Sequence, residues 1–273
     1  MKLGTMVHLG DNVVEKIGDV KKYGLESFQL CAWNHSMMTK EWADKIKAAA
    51  DENGLEISAV WCGWSGAAHW DFIGGYHTLG IVPVFLRDKR MDELKLGFDF
   101  AKMMGVTDVI THMGFLPENP TTDEFKSVVA SIRELAEYCK KNDQYLLFET
   151  GQETPITLKR TIVAVGTGNL GINLDPANLL LYGKANPCDA VDVFGQYVRG
   201  VHAKDGEYPT NPYYLGEEKR LGDGRVNFPV LIKKLINDHG YNGSITIERE
   251  IDGDKQIEDI LYAKKFLEDI ING

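Results

Sequence analysis

Short apolar runs of β-like composition alternate with stretches of helical period from one end of the chain to the other. Lys2–His8 reads as a strand, and Asn12–Tyr23 follows with Val13, Val14, Ile17 and Val20 at helical spacing. Leu25–Cys31 is the second strand. A helix then runs from a Thr39 cap through Asp51 and stops at Asn53-Gly54, because glycine takes the left-handed C-cap without strain. Leu55–Cys62 is the third strand. Residues 63–88 read as a long insert carrying Trp64, His69, Trp70, Gly74, Gly75, Tyr76, His77 and Gly80. Connections of that length commonly act as lids or binding loops. Asp92–Met104 is the third helix, Thr107–His112 the fourth strand, and Thr122–Lys141 a helix with a threonine cap and an acidic first turn. Gln144–Thr150 is a strand, and Pro155 suits the first turn of the helix after it. Asn169–Asp175, the short helix Ala190–Phe194 and the strand Tyr197–Ala203 come next. Residues 204–225 form a second long loop, followed by helix Phe228–His239, strand Gly243–Arg249 and helix Gln256–Ile271.

Eight β–α units without a linker-like stretch predict a parallel sheet joined by right-handed crossovers. No GxGxxG follows the first strand, and Gly166-Thr-Gly168 precedes a strand instead of opening a helix, which argues against a dinucleotide-binding sheet. The expectation is therefore an α/β fold, a single (β/α)8 TIM barrel over residues 1–273, a fold that takes ~250 residues.

Four of the strands end on a residue able to hold a metal or move a proton: Glu149, Asp175, His202 and Glu248. Side chains alternate along a strand, so parity tells which residues share a face. Ser244, Thr246 and Glu248 share one, as do Gly171, Asn173 and Asp175, and Val198, Gly200 and His202. Tyr145, Leu147 and Glu149 share the less polar fourth. By the same count His8 and His112 join from strands one and four. Barrel enzymes place their chemistry at the C-terminal strand ends. Three carboxylates converging there repel one another unless a cation compensates, and one imidazole beside them suits Mn²⁺ foremost, with Zn²⁺, Co²⁺ or Mg²⁺ as alternatives.

Composition narrows the partners. A formal net charge of −10 is wrong for a nucleic-acid binder, which needs a basic face to neutralise phosphates. There is no run of ~18 apolar residues, and Met1–Val7 is too short and too soon polar for a signal peptide. Cys31, Cys62, Cys139 and Cys188 are scattered without a disulfide or CxxC spacing. A cytoplasmic protein with reduced thiols and no membrane contact is expected, and residues 63–88 and 204–225 are candidate contacts in a homo-oligomer.

Beyond its strand ends, the chain carries Asn173-Leu-Asp175-Pro-Ala-Asn178, Val201-His202-Ala-Lys-Asp205, Leu221-Gly-Asp-Gly-Arg-Val-Asn-Phe228 and Gly240-Tyr-Asn-Gly243 before Ile247-Glu248. In these it resembles the xylose isomerase-like TIM barrels, in particular the sugar (phosphate) isomerase/epimerase group. The resemblance implies that Glu149, Asp175, His202 and Glu248 ligate one divalent ion, with Glu149 and Glu248 doubling as an acid/base pair and no organic cofactor. It implies proton transfer next to a carbonyl of a small carbohydrate through an enediolate. His8, Trp33, Trp61, His112, Asn178, Lys204 and Asp205 are the candidate substrate contacts, with Asp205 alternatively orienting the His202 ring. Many ketose epimerases carry histidine where this chain has Asn178, and arginine near Tyr208-Pro209, so the sugar is not named by the motif. A lyase or dehydratase eliminating from 3-oxo glycosides or inososes is one alternative, and a non-catalytic barrel subunit is another. An AP-endonuclease-type activity would need more histidine ligands and a basic face.

Overall fold

The computed structural model describes residues 1–273. Eight strands, β1 (Leu3–His8), β2 (Ser27–Ala32), β3 (Glu56–Cys62), β4 (Asp108–Thr111), β5 (Tyr145–Glu149), β6 (Leu170–Leu174), β7 (Val198–Ala203) and β8 (Ile245–Ile247), form a closed barrel. Every neighbouring pair is parallel, and Leu3, Gly4 and Thr5 close the ring against Ile245, Thr246 and Ile247. The helices are α1 (Val13–Lys22), α2 (Lys40–Asn53), α3 (Gly74–Thr78), α4 (Val84–Met103), α5 (Asp123–Lys140), α6 (Pro155–Val165), α7 (Pro176–Leu181), α8 (Pro187–Phe194), α9 (Phe228–His239) and α10 (Asp254–Asn272). None is long and apolar enough to cross a membrane. All four cysteines are unpaired.

The main core lies between the sheet and the helices, where Phe28, Leu30, Val60, Phe98, Ile132, Phe148, Ile172, Leu231 and Ile245 are buried. A second, smaller core fills the barrel itself with Cys31, Ala59, Trp61, Ile110 and Leu147, flanked by Met6 and Tyr145. The inward face of β5 is apolar because its lower residues, Tyr145 and Leu147, plug the barrel below Glu149.

Four helices depart most from the sequence expectation. The helix expected at Asp92 begins at Val84, and the 63–88 insert holds α3. The period fails there because Val84 and Phe85 are exposed while Arg87 and Arg90 face inward. Residues 176–181 form α7, whose six residues, Asn178 among them, are all buried, so no exposed polar face marks a period. α8 starts at Pro187, before the expected Ala190. Within the 204–225 loop, Asp205–Gly206 pairs antiparallel with Glu218–Lys219.

Arg87 and Arg90 anchor the insert to α4. Arg90, wholly inaccessible, donates to the carbonyls of Ser65, Ala67, Thr78 and Gly80, and its guanidinium lies 5.1 Å from the Trp64 ring centre. Arg87 donates to the carbonyls of Ile81 and Val82 and to Ser127 Oγ. Gly80, with φ of +65°, lies so near the Met113 backbone that any Cβ would overlap it. Replacing Arg90 with methionine leaves those carbonyls unpaired, at a cost of about 3 kcal/mol. Urea unfolding of Arg90→Met should show that loss, with new proteolytic cutting between residues 65 and 82; native-like stability and protection would contradict the anchoring role.

Candidate metal centre and active site

The four strand ends meet. One ligand atom from each of Glu149, Asp175, His202 and Glu248 lies within 4.8 Å of all the others. His202 Nδ1 is 3.0 Å from Glu149 Oε1, 3.9 Å from Asp175 Oδ2 and 2.5 Å from Glu248 Oε2. Local structure aims each group. Asp175 caps α7: its Oδ1 accepts from the Asn178 amide at 2.9 Å, and Pro176 occupies the first helical turn, which leaves Oδ2 free to face the cluster. Glu149 Oε2 accepts from the Trp61 indole, so Oε1 turns inward. Glu248 Oε1 accepts from Lys204 Nζ at 3.2 Å, which leaves Oε2 for the cluster. Despite their closeness, Asp175 Oδ2, His202 Nδ1 and Glu248 Oε2 make no hydrogen bond of acceptable geometry, although all are buried. Buried polar atoms without partners are rare. Three carboxylate oxygens and one imidazole nitrogen converging in this way form a donor set that fits a divalent cation of hard or borderline character.

The electrostatics are those of a crowded anionic pocket. Burial alone would lower the His202 ring, but Glu248 and Glu149 reverse this and hold it well above the usual imidazole range. Burial opposes ionisation of Glu248, yet Lys204 and His202 keep its carboxyl well below the usual range. For Asp175 burial wins, and its carboxyl is raised in spite of Lys204 and His202. Lys204 bridges the rim, with Nζ 3.7 Å from Asp175, 3.2 Å from Glu248 and 3.0 Å from Glu250. His112 is lowered by burial, so its ring is neutral beside Glu149, with Nε2 at 3.4 Å from Oε2.

A cavity of about 790 Å³ opens over the cluster and is bordered by Glu149, His202 and Glu248. Of the expected substrate contacts, His8, Trp33, Trp61, His112, Asn178 and Lys204 border it as well. Asp205 does not. Its carboxylate accepts from the amides of Gly206, Gly222, Gly224 and Val226, so it shapes the 222–226 turn and neither faces substrate nor touches His202. The partner of His202 Nε2 is instead Gln29 Oε1, at 2.7 Å. The aromatic wall is Trp33, Trp61 and Trp70; Trp64 stands behind it, its ring centre 5.5 Å from that of Trp33 and 6.3 Å from that of Trp70. Arg249 is a structural pair, as its opposite parity predicts, bound to Glu218 at 2.8 Å and Asp259 at 2.9 Å.

Several residues at the site escaped the sequence reading. Trp70, Gln152 and Tyr182 border the cavity from loop and helix positions that strand parity does not reach. Gln29 did carry a signal: it is a lone amide, with the inward parity of Ser27 and Cys31, in the middle of a mostly apolar strand. His112 Nδ1, both amide atoms of Gln152 and the Tyr182 hydroxyl are buried without protein partners.

Residues 17–270 match the family described as xylose isomerase-like TIM barrel. No curated protein sequence matches the chain. Among solved structures, a xylose isomerase domain protein from Planctomyces limnophilus is 30% identical with a TM-score of 0.91, over 98% of this chain and 96% of that one. A D-psicose 3-epimerase crystallised in the presence of D-fructose superposes at a TM-score of 0.74 with 14% identity, over 100% of both chains. The 3-keto-D-glucoside 4-epimerase from E. coli does so at 0.71 with 16% identity, over 98% and 99%. At these lower identities the likeness is one of fold. The family match over nearly the whole length, together with the Planctomyces relative, places the chain: it belongs to the xylose isomerase-like TIM barrel family.

Proposed function

We propose that the protein is a divalent-metal-dependent isomerase or epimerase of small carbohydrates or polyols that moves a proton next to a carbonyl. The convergence of Glu149, Asp175, His202 and Glu248, with three of their buried donor atoms unpartnered, carries this reading. Family membership and the presence of sugar epimerases among the structural neighbours support it. A divalent ion, Mn²⁺ foremost, would be held by those four side chains and would supply charge stabilisation for the developing enediolate oxygens.

The chain's own groups supply the rest. Glu149 and Glu248 stand on opposite sides of Asp175 and His202 around the mouth, with two strands between their own, and both favour the anionic form that accepts a proton. One carboxylate takes a proton from one face of a carbon, and the other, once it has itself taken up a proton from solvent, delivers it to the opposite face. Trp33, Trp61 and Trp70 offer apolar surface to a sugar ring and keep water from it. The unpartnered atoms of His112, Gln152 and Tyr182 are suited to substrate hydroxyls.

A second reading follows from the cavity, which is also bordered by Lys16 and Val20 of α1, by Tyr23 just beyond it, and by Ile257 and Ile260 of α10. A volume of about 790 Å³ has room for a second ring or an aglycone, so the same proton abstraction could expel a substituent from a 3-oxo glycoside. Incubation with candidate sugars in deuterated water separates the two: an epimerase or isomerase incorporates deuterium without losing a group, whereas a lyase releases one.

Glu149→Gln and Glu248→Gln should each reduce deuterium exchange by about 10²–10⁴-fold, the usual contribution of a positioned acid or base. Full exchange in either variant would sink the mechanism.

The raised His202 sets a pH dependence. In the metal-free protein the imidazolium stabilises the fold fully below the unfolded value of about 6.5. That contribution is lost as pH rises through the higher folded value. A metal ion must displace the same proton. Metal-free Tm should therefore fall, and Mn²⁺ affinity measured by calorimetry should rise, as pH increases across that window. A pH-independent affinity would rule out His202 as a ligand.

A further inference from the structure

Behind the cluster a short chain of amides crosses the barrel interior from β7 to β2 to β6. His202 Nε2 meets Gln29 Oε1 at 2.7 Å, and Gln29 Nε2 donates to Asn173 Oδ1 at 3.1 Å. All three side chains are buried, His202 and Asn173 completely. Asn173 reaches this position because residue 200 is glycine: a Cβ there would sit 2.4 Å from Asn173 Oδ1. Gly200 has the inward parity of His202, so β7 gives up one side chain to make room for an amide that serves another.

The direction of this chain matters. An amide nitrogen only donates and an amide oxygen only accepts. With its nitrogen committed to Asn173, Gln29 presents oxygen to His202, so Nε2 carries the hydrogen and the neutral ring has its lone pair on Nδ1. Nδ1 is the atom facing Glu149, Asp175 and Glu248. The reversed direction would place an N–H among the carboxylates and remove the only nitrogen from the donor set.

We propose that Gln29 and Asn173 are positioning residues that hold His202 in the Nε2–H tautomer, with the Nδ1 lone pair presented to the cation. The inference rests on the metal reading above and assigns to it a component no strand-end residue supplies. Hydrogen-bond partners of this kind typically account for 10–100-fold in metal affinity. Gln29 and Asn173 both border a second cavity of about 560 Å³ that opens at the N-terminal end of the barrel among Ser58, Arg199 and Ser244.

The test is calorimetric titration of the metal-free full-length protein with Mn²⁺, with metal-free Tm as a folding control. Gln29→Leu, which removes the acceptor, should weaken Mn²⁺ binding about 10–100-fold. Gln29→Glu restores an acceptor toward Nε2 and should recover most of that loss, which a purely space-filling role would not predict. Asn173→Ala leaves Gln29 in place but frees its amide to turn over, and should show a smaller loss in the same direction. In the Zn²⁺-loaded, ¹⁵N-labelled protein, the His202 Nε2–H signal should be present in the native chain and in Gln29→Glu, and lost to solvent exchange in Gln29→Leu. If Gln29→Leu or Asn173→Ala binds Mn²⁺ as tightly as the native protein, or Gln29→Glu binds as weakly as Gln29→Leu at equal metal-free Tm, the positioning role is wrong. A native protein that binds no divalent ion overturns the metal reading itself, and this inference with it.

Discussion

Three carboxylates and one imidazole share a buried mouth, and their mutual repulsion is the constraint to which the surrounding structure answers. At an effective dielectric of ~20, two like charges ~4 Å apart repel by about 4 kcal/mol. One such pair is already comparable to the net stability of a typical domain, about 5–15 kcal/mol. The barrel meets the load locally. Lys204 lies against Asp175 and Glu248, the Trp61 indole donates to Glu149, and the Asn178 amide takes one oxygen of Asp175. Each carboxylate has one oxygen tied to the protein and the other turned to the centre. Without a cation the His202 ring holds a proton in the middle of the cluster, which makes that proton the natural competitor of a metal.

The same economy shapes the walls. The barrel interior below the cluster holds the apolar side chains of Leu147, Ile110 and Ala59. One side of the cavity comes from the 63–82 segment, which has little regular structure and depends on two buried arginines of α4 that take up its carbonyls. Trp70, on that segment, completes an aromatic wall begun by Trp33 and Trp61 on the barrel itself. Asp205, one residue beyond Lys204, performs the equivalent service for the 222–226 turn.

Much of this is legible in the amino-acid sequence. Strand–helix alternation with glycine stops identified the barrel units, since backbone periodicity and capping are local properties. Parity along β6, β7 and β8 placed Asp175, His202 and Glu248 on a common side, because a strand repeats every two residues whatever it packs against. Less was legible where burial overrode period: α7 is buried on every face, and α4 turns Arg87 and Arg90 inward and Phe85 outward. The Asp175-Pro176 pair was an available sign of the first, as a capping acid followed by proline at the first helical position.

By itself, the sequence determined which residues end the strands, which face each takes and how many units the ring contains, all of which follow from neighbours along the chain. The tertiary structure alone decided what those residues meet. That Gln29 answers His202, that Asp205 serves a turn, and that Gly200 yields space to Asn173 are contacts between segments far apart in sequence. A hydrogen bond depends on angstrom-scale distance and on which atom faces which, and only the closed barrel, bringing β2, β6 and β7 around one axis, sets either.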